Sequence, residues 1–195
     1  MEALLGITGK GYTIIASDNN AARSIVKMKS DDDKQKELSQ NLVMTYAGES
    51  GDTIQFSDYV ERNMRLYTIR NNIQLRPRAA AAWIRTQIAE SLRSRKPYQV
   101  NMLLGGYDAP SSTPELYWLD YLGTLVQVPY AAQGYAAYLT TSTMDRYHRP
   151  DMSLDQGLDL LKRCIDELQK RLVIDVGSFT VRVIDQHGVR KVAMP

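Results

Sequence analysis

The spacing of apolar and polar residues changes period several times along the chain. In the first third it comes in short bursts. Residues 4–8, 12–17, 24–28 and 42–47 are partly β-branched or aromatic, and Gly, Asn or Asp bound each burst, which predicts four strands. The period then becomes helical. Phe56, Val60, Met64 and Tyr67 fall on one face of a helix expected to start near Asp52, with Gln55 as its capping-box partner. A second stripe, Ala81, Ile84, Ile88 and Leu92, follows Pro77, whose missing N–H costs nothing in a first helical turn. Lys96-Pro97 ends it.

The middle of the chain returns to strands. The apolar run at 102–104 predicts a strand covered on both faces. Residues 109–114, rich in Ser, Pro and Thr, read as a connecting loop. Strands are expected over 115–121 and 124–128. Residues 134–144 suggest a short helix. Ser153 and Gln156 form a capping box before Leu154, Leu158, Leu161, Ile165 and Leu168, the most regular helical stripe of the chain. Cys164 lies beside it and reads as a buried, inert thiol. Phe179, Val181 and Val183 alternate with Thr180 and Arg182, a half-buried strand, with 189–192 as its partner. Strands, two helices, strands, two helices, strands is an α+β order. One domain over residues 1–195 accommodates it.

Composition narrows the function classes. Apolar residues make up 44% and charged residues 24% of 195, with a net charge of +2. That profile fits a soluble globular protein, and the balance gives no argument for nucleic acid or an anionic membrane. A single cysteine excludes an intrachain disulfide and favours a reducing compartment. No apolar run approaches the ~20 residues of a membrane span, and the first residues lack the pattern of a signal peptide. His148 and His187 lie far apart and read as solvated surface groups. Asp31-Asp32-Asp33 lacks the Gly and distal Glu of a calcium loop. Gly105-Gly106 is not followed by the Lys-Ser or Lys-Thr of a phosphate loop. The basic residues Arg76, Arg78, Arg85, Arg93, Arg95 and Lys96 lack an interleaved aromatic platform, so a solvated or subunit-contacting face is expected. Asp18 by itself reads as a turn residue ending a strand. Lys34 sits in a mixed-charge run, 27–37, that reads as a solvated turn.

Four ordered segments give these residues a different weight. They are Leu4–Ile7 with Ile14–Asp18; Tyr46-Ala47-Gly48-Glu49-Ser50-Gly51-Asp52; Leu103-Leu104-Gly105-Gly106-Tyr107-Asp108 followed by Glu115-Leu116-Tyr117, Asp120 and Gly123; and Tyr147-His148-Arg149-Pro150-Asp151-Met152-Ser153. Together they resemble the beta subunits of the 20S proteasome core particle, over essentially the whole chain. The stretches from Gly51 to Phe56 and from Arg93 to Asn101 look most similar to the non-catalytic subunit of the fourth beta position.

The resemblance implies a four-layer αββα sandwich of the N-terminal nucleophile hydrolase type. It implies assembly with other beta and alpha subunits in stacked rings of a eukaryotic particle, in cytoplasm and nucleus, serving ubiquitin-dependent proteolysis without a cofactor or metal. In active members a processed N-terminal Thr is the nucleophile and its own amine the base. Here Glu2 falls at that position, and no Gly-Thr bond stands near the start. Asp18, Lys34 and Gly48 match three supporting positions, the last being the backbone N–H that stabilises the oxyanion. The family's supporting Ser falls near Ala132-Gln133-Gly134, and its Asp after the last helix falls at Leu172. These departures imply a structural subunit forming part of the chamber wall. Two other readings stay open: an active hydrolase of the same superfamily, which needs a precursor whose cleavage exposes Thr, Ser or Cys, and an unrelated soluble α+β binding module.

Overall fold

In the computed structural model, which describes residues 2–23 and 26–193, two antiparallel five-stranded sheets lie face to face. Each carries a helix pair on its outer side. The first sheet has the order β10-β1-β2-β11-β12 and the second β5-β6-β7-β8-β9. Their strands are β1 (Ala3–Gly9), β2 (Tyr12–Asp18), β10 (Tyr130–Gly134), β11 (Phe179–Asp185) and β12 (Gly188–Val192), then β5 (Gln35–Ser39), β6 (Leu42–Gly48), β7 (Val100–Asp108), β8 (Thr113–Leu119) and β9 (Leu125–Gln127). The short β3 (Ala21–Arg23) and β4 (Val26–Lys29) pair separately. The helices are α1 (Ser50–Asn71), α2 (Pro77–Leu92), α3 (Ala136–Tyr147) and α4 (Leu154–Arg171).

The alternation of side chains along a strand builds three hydrophobic layers. Leu5, Ile7, Ile14 and Ala16 face outward from the first sheet onto Leu161, Cys164, Ile165 and Leu168 of α4. Leu4 and Ile15 face inward and meet Val43, Leu103 and Leu116 from the second sheet. Met44, Met102 and Leu104 face outward again, onto Phe56 and Val60 of α1 and Ala81, Ile84 and Ile88 of α2. The four layers are therefore αββα. Because both faces of β1, β2, β6 and β7 are covered, these strands read as almost unbroken apolar runs. The sheets approach closely at Gly105, where a Cβ would come within 2.5 Å of the Ile15 side chain.

Several expectations need correction. The helix after residue 48 begins at Ser50, and its N-cap, Glu49, has no side-chain capping bond. Asp52 instead accepts the Gln99 N–H at 3.0 Å, so the expected Asp52–Gln55 capping box is not used. The capping box at Ser153 and Gln156 is present, both halves made. Residues 130–134 form an unanticipated strand, and α3 starts after it, at Ala136. The middle strands begin at Thr113 and Leu125. Of the strand expected over 24–28, Ser24 and Ile25 lie outside the described residues. The charged run 27–37 is not a solvated turn throughout: β5 starts within it, and Lys34 and Gln35 are buried. His187 is exposed, but His148 is half-buried, its Nε2 2.9 Å from the Thr8 carbonyl oxygen. Tyr67 and Leu92, placed on helical core stripes, are exposed.

Candidate functional site

Asp18, Lys34, Gly48 and Glu2 are distant in sequence, and the fold brings them together at one end of the sheet pair. Asp18 is the last residue of β2, beside the start of β1. Its Oδ1 accepts the Ala3 N–H at 2.7 Å. Its Oδ2 accepts Lys34 Nζ at 2.7 Å and the Asn20 N–H at 3.2 Å. Lys34 also donates to the carbonyl oxygens of Asp18, at 3.1 Å, and Asn20, at 2.7 Å. An ammonium has three donors, and these contacts occupy all of them. Both side chains are shut off from water, at 2% exposure for Asp18 and 6% for Lys34. A charge pair this deep is sustained only by such complete hydrogen bonding.

Gly48 supplies the opposite wall. Its φ of 145° lies in a region that residues with a Cβ avoid, and a Cβ there would stand 2.1 Å from the Gln99 carbonyl oxygen. Two residues earlier on β6, Tyr46 sends its N–H to the Lys34 carbonyl oxygen at 3.3 Å. Residues i and i+2 of a strand point their N–H groups to the same side. The Gly48 N–H therefore faces the edge where β5 has not yet begun, and no strand is there to accept it. The Glu2 side chain does so: Oε2 takes the Gly48 N–H at 2.6 Å. The Glu2 backbone is held from the other side, its carbonyl oxygen accepting the Tyr135 N–H at 3.2 Å. Gly134 permits this closeness, since a Cβ there would meet the Glu2 carbonyl oxygen at 2.2 Å. Burial pushes the Glu2 carboxyl above its ordinary value, against the opposing pull of the Gly48 N–H and the Lys34 charge.

The other two positions behave differently. Leu172 caps the C-terminus of α4 and lines the same small space as Glu2, Ala3, Asp18 and Asn20. That space is about 10 Å³, enough for roughly one water. Gln133 lies on β10 opposite Leu4 of β1. Its amide reaches between the sheets and donates to the Leu119 carbonyl oxygen at 3.0 Å. Asn20 is the member that sequence reasoning missed. It contributes its N–H and its carbonyl oxygen to the Asp18–Lys34 pair, and its side chain donates to the Asp175 carbonyl oxygen at 2.9 Å. The only signal in the sequence was its place in the turn after Asp18.

What the arrangement can do follows from its groups. A carboxylate at position 2 has no hydroxyl or thiol to attack a carbonyl. The backbone donor that could stabilise an oxyanion already has an anionic partner. Among the described residues no group of His, Cys, Asp and Glu is arranged to hold a metal ion, and no helix is long and apolar enough to cross a membrane. Arg76 is engaged as well, with two bonds to Asp108, at 2.7 and 2.6 Å. Cys164 is fully buried, and burial pushes its thiol up to about 12, which leaves it without a reactive thiolate.

Comparison with known proteins bears on the same residues. The family model described as "Proteasome subunit" matches residues 2–184. The chain is 47% identical to the probable proteasome subunit beta type-4 of Schizosaccharomyces pombe, covering 98% of this chain and 99% of that protein. It is 46% identical to the proteasome subunit beta type-4 of Saccharomyces cerevisiae, over 98% and 97% of the two chains. To the proteasome subunit beta type-2-A of Arabidopsis thaliana it is 40% identical, over 99% and 94%.

Proposed function

The chain belongs to the proteasome subunit family, and on that premise we propose that it is the non-catalytic fourth-position beta subunit of the 20S core, one domain long. It forms part of the beta ring and of the chamber wall, beside other beta and alpha subunits, in cytoplasm and nucleus. The observation that carries the inactive reading is the Glu2 carboxylate on the Gly48 N–H. A residue without a hydroxyl stands where active members place their nucleophile, and it also engages the oxyanion donor. Leu172 and Gln133, at two supporting positions, offer neither the carboxylate nor the hydroxyl that the chemistry uses. The remaining Asp18, Lys34 and Gly48 hold the N-terminal end of β1 in place.

The outer helices support the structural role. Tyr59 and Leu66 of α1 are each 41% exposed. The Tyr59 ring stacks on Trp83 of α2, centroids 5.9 Å apart. Obligate subunit interfaces commonly bury more than about 2,000 Å² and are more apolar than transient ones, and a face of this kind suits one.

The test combines labelling with native mass spectrometry. Purified core particles are treated with a threonine-directed peptide epoxyketone and adducts are mapped by mass. This chain is expected in the ring assembly without an adduct, while sibling subunits carry one. An adduct at its N-terminal end, or its absence from the particle, overturns the reading.

A further inference from the structure

Loss of a nucleophile alone would leave the Gly48 amide free to accept a ligand. It is not free. Its N–H is an unpaired strand-edge donor, created because β5 starts at Gln35 while β6 runs on to Gly48. The glycine itself is required by a φ of 145° and by the Gln99 carbonyl oxygen beside it. The acceptor comes from 46 residues away. We propose that the Glu2 side chain is an internal ligand closing a small carboxylate-binding site on the Gly48 amide, so that its removal opens the site to a monocarboxylate of propionate size or smaller. This rests on the reading of the chain as a ring subunit that is not a nucleophile.

The walls of that site do not depend on the Glu2 side chain. The backbone on either side of its carboxylate is pinned separately, by the Tyr135 N–H on the Glu2 carbonyl oxygen and by the Ala3 N–H on Asp18. Truncation of a held side chain leaves most of its volume, because the surroundings collapse only in part. The space beside it is already about 10 Å³, so the opened site takes a small acid and excludes a peptide. Lys34 attracts an anion placed at Glu2, Asp18 repels it and burial raises the cost of the charge, so the bond from the Gly48 amide to the carboxyl group is what holds the ligand. The ligand must therefore sit where Glu2 Oε2 now sits, on the donor and not merely near the ammonium.

Bromoacetate is the probe, because its bromine is located by anomalous scattering. Crystals of the assembled particle carrying Glu2→Ala in this subunit are soaked beside wild-type and Glu2→Gln crystals. The expected result is a bromine peak next to the Gly48 amide in Glu2→Ala. The peak is lost in the wild type and in Glu2→Gln, whose amide oxygen keeps the donor occupied. No peak in Glu2→Ala, or an equal peak in the wild type, overturns the inference while leaving the non-catalytic reading intact. A wild-type chain missing from the particle would instead overturn that reading. If Glu2→Ala does not assemble, added formate restores assembly; failure of formate to do so counts against the internal-ligand role.

Discussion

Lys34 Nζ lies 2.7 Å from Asp18 Oδ2 with both side chains almost wholly enclosed. The pair has a structural use. Asp18 holds the Ala3 N–H, and Lys34 binds two carbonyl oxygens of the turn after β2.

Removing one partner of a buried pair leaves the other charge uncompensated, a loss of about 3–5 kcal/mol. Lys34→Met is expected to destabilise the chain by that order. Adding Asp18→Asn to Lys34→Met should cost far less than the sum of the two single changes, because the isolated carboxylate is then gone. Chemical unfolding of single and double variants in a mutant cycle measures this. Additive losses would mean the two residues do not act as a pair.

Glu2 gives a pH dependence whose sign follows from burial. Its carboxyl is pushed above the ordinary carboxylate value, so the folded state binds that proton more tightly than the unfolded state. Stability then falls as pH rises from the ordinary carboxylate range through the raised folded-state value. Glu2→Gln removes the titration and keeps an acceptor for the Gly48 N–H. The variant should therefore lack the loss that the wild type shows across this window, and at neutral pH it should be at least as stable. Hydrogen-exchange protection of residues 46–52 in the particle, corrected for the intrinsic pH dependence of exchange, reads the difference. A wild-type segment that gains protection as pH rises would contradict the sign.

The long helices and paired strands were legible because their apolar periods are strong. In α4 the pattern, the cap at Ser153 and the buried stripe all agree. What escaped was local and polar. β10 is Tyr-Ala-Ala-Gln-Gly, small residues with no alternation, made a strand by pairing with β1. β5 was hidden by charge: it is an edge strand, where Lys36 pairs with Asp58 and Glu61 of α1 and Gln35 reaches Ser17 and the Thr180 carbonyl oxygen. The family pattern pointed to Asp18, Lys34 and Gly48, but it carried no sign that the Glu2 carboxylate takes the Gly48 amide. That contact depends on where β5 begins, a tertiary fact with no signature in local sequence.

Gly157 offers a test of packing against helix propensity. It lies in the first turns of α4, against Tyr12. A Cβ there would come within 2.2 Å of the Tyr12 hydroxyl, which donates to the Ser153 carbonyl oxygen at 2.9 Å. Ala in a helix is favoured over Gly by about 1 kcal/mol. Overpacking of a rigid buried site costs about 1–3 kcal/mol, and the displaced hydroxyl loses its bond as well. Gly157→Ala should thus destabilise, by about 1–2 kcal/mol net. In Tyr12→Phe, where the hydroxyl is gone, the same change should cost less. Thermal unfolding of the wild type and the three variants decides it, and a more stable Gly157→Ala protein would show that Tyr12 moves aside freely.

Leu66 tests the outer face of α1 as a subunit contact. It is 41% exposed and borders a cleft of about 450 Å³ lined also by Met64, Tyr67, Leu75, Ala79 and Trp83. Single exposed hydrophobes are common and mean little. Here, however, Leu66 lies beside Tyr67, exposed at 38%, and one helical turn before Ile69 and Arg70, with Ile69 exposed at 79%. Because Leu66 is on the solvent side of its helix, Leu66→Asp should leave the fold of the chain intact. An unpaired charge placed in a dry subunit interface is costly, so the variant should enter rings poorly. In particles that do form, the peptidase rate per particle of the active sibling subunits should be unchanged, since no reacting group is touched. Native gels report incorporation, and fluorogenic peptide turnover normalised to particle number reports chemistry. Leu66→Lys should behave like Leu66→Asp if desolvation is the cause, whereas Leu66→Met should assemble normally. Wild-type incorporation of Leu66→Asp would place this residue in solvent and move the contact elsewhere on the chain.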